Sequence, residues 1–122
     1  MTTISIILNL FIAVTLLNVW LIRFNKPTIY RGGNSNSMVE EFFTYGLPKW
    51  FMYVVGSIKV IIAILLILGI WFASLNLYCY ISLSILMLGA IMMHLKVKDK
   101  IIKSVPAISI LTLLLVLIGV NL

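Results

Sequence analysis

Lys59 sits in VVGSIKVIIAILLILG, residues 54–69, an apolar run that offers it no acid within helical reach. An ionisable side chain near the middle of a bilayer costs on the order of 2.5–3.5 kcal/mol on insertion scales, so its presence calls for a partner or an escape. Two fates are open. The stem leans toward the helix N-terminus and carries the ammonium to water, because helical side chains tilt that way. Alternatively, the ammonium faces the inside of a helix bundle and meets a ligand oxygen, or Glu40 or Glu41 folded in from the preceding loop. Gly56 and Ala63 share the face of Lys59, and small residues mark faces where another helix approaches.

The second constellation is His94 with Asp99, five residues apart in MMHLKVKD. If the chain turns after His94 the two meet. An imidazole beside a carboxylate handles protons near neutral pH or binds a lipid headgroup, whereas a histidine that only anchors the interface does neither. Other chemistries are excluded by residue count. One histidine cannot ligate haem from both sides within one chain. One cysteine, Cys79, allows no internal disulfide or dithiol exchange and reads as a buried structural thiol. No metal-ligand spacing, phosphate-binding glycine loop or serine–histidine–aspartate set is present, so no cofactor ligand set is evident and no metal is expected.

The elements that must position these residues follow from composition. Of 122 residues, 63% are hydrophobic and 10% charged, and the mean hydropathy is +1.22, values foreign to a soluble domain. A hydrocarbon layer about 30 Å thick takes a helix of about 20 apolar residues. Four such runs are readable, at residues 4–22, 48–72, 75–95 and 105–122. They lack the period-2 alternation of a barrel, and lipid leaves only helices otherwise. The fold class is therefore an all-α membrane protein, a four-transmembrane-helix bundle formed by a single domain, 1–122. The first run has no basic residue before it and no small-residue cleavage site after it, so it reads as a retained span with Trp20 at the interface.

The longest connection, between spans one and two, contains Ser37-Met38-Val39-Glu40, a capping box. It predicts a short amphipathic helix over residues 38–45, closed by Gly46 and Pro48. Val39, Phe42 and Phe43 would lie toward the membrane interface, and Glu40 and Glu41 toward polar surroundings. This loop helix (Ser37, Glu40, Glu41) either seals the bundle mouth or acts as a lid over an interhelical pocket. Further small or polar sets give packing seams: Asn9, Ala13 and Asn18 in span one, Ser82 and Gly89, then Ala90 and His94, in span three, and Ser109, Thr112 and Gly119 in span four.

Eight of the nine lysines and arginines fall in two connections: Arg23, Lys26, Arg31 and Lys49, then Lys96, Lys98, Lys100 and Lys103. Positive charge stays cytoplasmic, so a multi-pass protein of the cell membrane with both termini outside is expected. This also accounts for the net charge of +6 without nucleic acid as a partner. The lipid bilayer is the partner expected first, with a membrane-protein partner or homo-oligomer beyond it.

YGLPKWFMYVVGSIKVIIAILLILG (residues 45–69) and MLGAIMMHLKVKDKIIKSVPA (residues 87–107) resemble the DoxX-like family of small four-span bacterial membrane proteins. The resemblance is carried by Gly46-x-Pro48, Gly56-x-x-Lys59, Ala90-x-x-x-His94-x-x-x-x-Asp99 and Ser104-x-Pro106-Ala107, over about three quarters of the chain. It implies a four-helix bundle with relatives among thiosulfate:quinone oxidoreductase subunits, oxidative-stress partners and receptor-assembly chaperones. Many members resemble a Gly-x-x-Glu pattern where this chain has Lys59, so a carboxylate role does not carry over.

Three functions follow as expectations. The first is a redox-associated subunit that holds a quinone or other lipophile, with Lys59, His94, Gly56 and Asp99 as candidate ligand-binding residues; whether it is an enzyme is left open, with a binding role on its own favoured. The second is a non-catalytic assembly or partner-binding protein. The third and remotest is a small multidrug transporter, which would need a membrane-embedded acid that span one lacks.

Overall fold

The computed structural model describes residues 2–121 and is helical, with no strand among them. The helices are α1 (Thr3–Leu17), α2 (Met38–Thr44), α3 (Lys49–Leu68), α4 (Asn76–Lys96) and α5 (Val105–Asn121). α1 continues through a π-helical turn, Asn18–Ile22, and 3₁₀ turns precede α4 and α5. α1 with its π turn, α3, and α4 and α5 with their 3₁₀ turns give four helices long and apolar enough to cross a membrane. The short α2 lies at the end of the bundle where the basic connections gather.

The long helices form two pairs, α1 along α3 and α4 along α5. Toward the end far from the basic loops the pairs share one core, in which Ile12, Leu16, Ala63, Leu66, Tyr80, Leu83, Leu114 and Leu117 interlock. At the basic end a separate cluster of Trp20, Met38, Phe42 and Met52 joins α1, α2 and α3. No side chain of α4 or α5 belongs to it, so the pairs part there.

α3 stops at Leu68, four residues before the limit that hydropathy suggests. Asn76 sets this boundary. Its amide donates to Gly69 O at 3.0 Å, and a Cβ on residue 69 would come within 2.0 Å of Asn76 Oδ1, so only glycine fits. Asn9 joins the same network, donating to Leu66 O at 3.0 Å and to Asn76 Oδ1 at 3.1 Å, while Tyr80 OH donates to Asn9 Oδ1 at 2.5 Å. All three side chains are buried and neutral.

Two predicted seams are not seams. Ser82 is exposed and the buried serine of α4 is Ser84, bonded to its own helix at Tyr80 O. On α5, Ser109, Thr112 and Gly119 face outward, and Ala107, Ile110, Leu114 and Leu117 form the contact face. α5 is apolar on every side, so no periodicity marks its inner face, and fit of large side chains decides it.

Candidate functional site

Where the helix pairs part, a cavity of about 1060 Å³ opens at the basic end. This is at the upper limit of the about 300–1,000 Å³ usual for ligand sites. Its walls are mostly apolar: Phe51 and Val55 from α3, Leu86, Gly89 and Ala90 from α4, and Ala107 from α5. Nothing lies within 4 Å of a Cβ built on Gly89, so the missing side chain leaves open space. A π turn bulges one residue out of a helix and is common beside functional sites. Here it carries Asn18 and Trp20 into the wall.

Trp20 is 7% exposed and lies inside the bundle, not at the interface. Gly56 is the reason. A Cβ there would meet the Trp20 ring at 2.6 Å, so the glycine of Gly56-x-x-Lys59 is the slot that receives the indole. One turn on, Lys59 Nζ lies 5.4 Å from the Trp20 ring centroid, a cation–π contact on the cavity wall. Among the described residues no hydrogen bond or ion pair reaches Lys59.

The floor at the basic end is the loop with α2. Ser37 Oγ accepts from Glu40 N at 3.2 Å, as the capping box predicts, while the Glu40 carboxylate accepts from Asn36 N at 3.1 Å. Glu40 is exposed. Glu41 instead turns inward, where the protein itself supplies its polar surroundings, Arg31 first among them. Arg31 Nη1 donates to Glu41 Oε2 at 2.9 Å, with side chains 5% and 13% exposed. The same guanidinium donates to Lys26 O at 3.0 Å and Phe24 O at 3.2 Å, which ties the loop down. Glu41 Oε1 accepts from Tyr45 OH at 2.7 Å and Gly32 N at 3.2 Å. Burial first, and then the charge of Glu41 beside it, hold the Tyr45 phenol well above its ordinary pKa. α2 ends in a Schellman turn, with Gly46 at φ +77 and Leu47 N bonded to Phe42 O at 3.0 Å.

α4 ends the same way. Lys98 takes the left-handed position at φ 58, and Asp99 N donates to His94 O at 3.0 Å. The turn swings Asp99 back beneath His94, which answers the five-residue spacing. His94 Nδ1 and Asp99 Oδ2 are 2.8 Å apart, the geometry of Nδ1–H donating to the carboxylate. Asp99 Oδ1 accepts from Gly33 N at 3.0 Å, which latches the loop to α4. Lys103 Nζ donates to Arg31 O at 2.8 Å and to Gly33 O, and Lys96 Nζ to Tyr45 O at 2.7 Å. These two lysines thus hold carbonyls of the floor as well as carrying charge.

The structure brings Lys59, His94 and Glu41 onto one cavity, sets Gly56 behind Trp20 and Asp99 behind His94, and leaves Ser37 and Glu40 outside at the cap. Arg31, Tyr45 and Trp20 were missed as site residues. Arg31 reads as one more topological charge, and only Gly56 hints that an aromatic ring is received there. Cys79 is buried, as expected of a structural thiol. Among the described residues no group of histidine, cysteine and acids is placed to hold a metal ion.

No curated protein and no solved structure matches the chain. The model of the DoxX-like family matches residues 27–119, a stretch that runs from the loop below the cavity through all but the end of α5. With a match over most of its length, this four-span membrane protein belongs to the DoxX-like family.

Proposed function

We propose that the protein holds a membrane lipophile in the cavity between its helix pairs, with the polar head against Lys59 and His94 and the tail along Phe51, Val55, Leu86 and Ala90. The observation that carries this reading is the combination in one space of an apolar lining with a half-buried lysine that meets no hydrogen-bonding partner among the described residues. An ionisable side chain within a membrane-spanning helix points by default to a function. The basic connections face the cytoplasm and both termini lie outside the cytoplasmic membrane, by the distribution of lysine and arginine. A quinone-like molecule held for a redox partner is the form of the reading to which the family resemblance points. The chain supplies binding rather than a reaction.

A second reading, a non-catalytic assembly protein or homo-oligomer, is favoured by Ser109, Thr112 and Gly119 facing outward on α5, since such residues suit close helix contact. Extraction in mild detergent followed by mass spectrometry of co-purified lipophiles separates the two. The first expects a stoichiometric lipophile from wild type and its loss or marked reduction from Gly89→Leu, which puts a side chain into the cavity. An unchanged lipid profile in both proteins, with a protein partner co-purifying, would favour the second.

A further inference from the structure

We propose that the cavity selects amphiphiles with an acidic head, a carboxylate or phosphate, over neutral lipophiles of the same length, and that Lys59 is the residue that binds the acid. This rests on the lipophile reading above and narrows it.

The argument is a charge count around one space. Arg23, Arg31, Lys59 and Lys103 line the cavity, against one acid, Glu41. Arg31 is answered by Glu41. Lys103 is answered by the Arg31 and Gly33 carbonyls. Arg23 reaches the Pro27 carbonyl at 3.5 Å near the loop. Lys59 alone has the face of Trp20, which attracts a cation but offers no lone pair to accept its protons.

Glu41 is the acid on the cavity wall, and its oxygens are already occupied by Arg31, Tyr45 OH and Gly32 N. Asp99 is engaged by His94 and Gly33 N. The site is thus short of one negative charge at Lys59. A quinone carbonyl or an alcohol would accept a hydrogen bond there yet leave the charge unmatched. An acid does both, through a charge-assisted hydrogen bond. Arg23 and Lys103 at the mouth draw anions toward the same space.

The test uses the full chain, delipidated in a neutral detergent at neutral pH. Affinities are measured for dodecanoate, dodecyl phosphate, dodecanol and an alkyl benzoquinone, by displacement of a labelled acid or alcohol. Wild type is expected to bind either acid at least about tenfold more tightly than the alcohol or quinone. A preference for the carboxylate or for the phosphate names the head and supports the proposal in both cases. Lys59→Met should lose the acid preference while keeping alcohol binding, and Lys59→Arg should retain it. Equal affinity of wild type for acid, alcohol and quinone would overturn the proposal and leave the lipophile reading standing. An acid preference that survives Lys59→Met would overturn the role of Lys59. Binding of no probe, with no lipophile co-purified, would remove the lipophile reading and the proposal with it. The wild-type ratio decides the main point even if a variant fails to fold.

Discussion

The two ends of the bundle solve opposite problems with polar side chains. Far from the basic loops, Asn9, Asn76 and Tyr80 satisfy one another and two helix-end carbonyls, so all four helices close on a shared core. At the basic end, Arg31, Glu41, Tyr45, Asp99 and Lys103 are spent on holding a loop across the opening. There α4 and α5 stay apart from α1 and α3, and a cavity opens between the pairs. Neutral amides, which need only geometry, serve to join helices. Charges, which need partners and resist burial alone, serve to hold a floor in place over a cavity. The far end therefore joins the helices to one another, and the basic end holds a floor across a cavity.

The comparison is broken most forcefully at Arg31. Arg31→Ala leaves Glu41 nearly buried without its counter-charge and should cost about 3–5 kcal/mol. Denaturant unfolding in detergent measures this, and protease sensitivity of the loop should rise with it. A change below about 1 kcal/mol would mean that the floor does not depend on the ion pair. At the other end, Asn9→Ala strips partners from Asn76, Tyr80 and Leu66 O and should cost about 1–3 kcal/mol. Its lipophile content should stay that of wild type, and loss of lipophile would show that the ends are not separable.

Tyr45 gives the floor a pH signature. Its pKa is raised in the folded protein by burial and by Glu41, so the folded chain keeps the phenolic proton after the unfolded chain loses it at about pH 10. The contribution is complete below that pH. Above it the folded state binds more protons than the unfolded state, and stability falls by up to about 1.4 kcal/mol per pH unit. Tyr45→Phe should flatten this part of the profile, as read from melting temperatures between neutral pH and about pH 11. A slope that persists in Tyr45→Phe would assign it elsewhere. The smallest effect is at the outer cap, where Ser37→Ala should cost about 0.5–2 kcal/mol by removing the acceptor for Glu40 N. Helix content of the 38–44 segment by hydrogen exchange reports it.

The far end and the basic end were not equally legible in the sequence. Span positions followed from hydropathy because lipid leaves a chain almost no other choice, and the loop helix followed from its capping box. The α3 boundary did not, because a single asparagine side chain overrides four apolar residues. Lys59 and His94 stood out as polar groups among apolar ones. Arg31 and Lys103 did not, since in a basic loop a charge that orients the chain looks the same as a charge that holds a floor. Trp20 was placed at the interface because its partner, Gly56, is a missing side chain and leaves only spacing as a trace. The seams of α4 and α5 misled for a related reason. Small residues report where a helix has room, and at Gly89 that room is cavity.

The central claim is that the space between the helix pairs is occupied by a lipophile. Photo-crosslinking in native membranes with a single-chain lipophile carrying a diazirine along its tail, followed by peptide mapping, tests it most directly. Adducts are expected on Val55, Leu86, Ala90 and other cavity residues, competed away by excess unlabelled lipophile and lost or markedly reduced in Gly89→Leu. Adducts confined to outward-facing residues such as Ile64, Leu115 and Val116, with no competition, would contradict it.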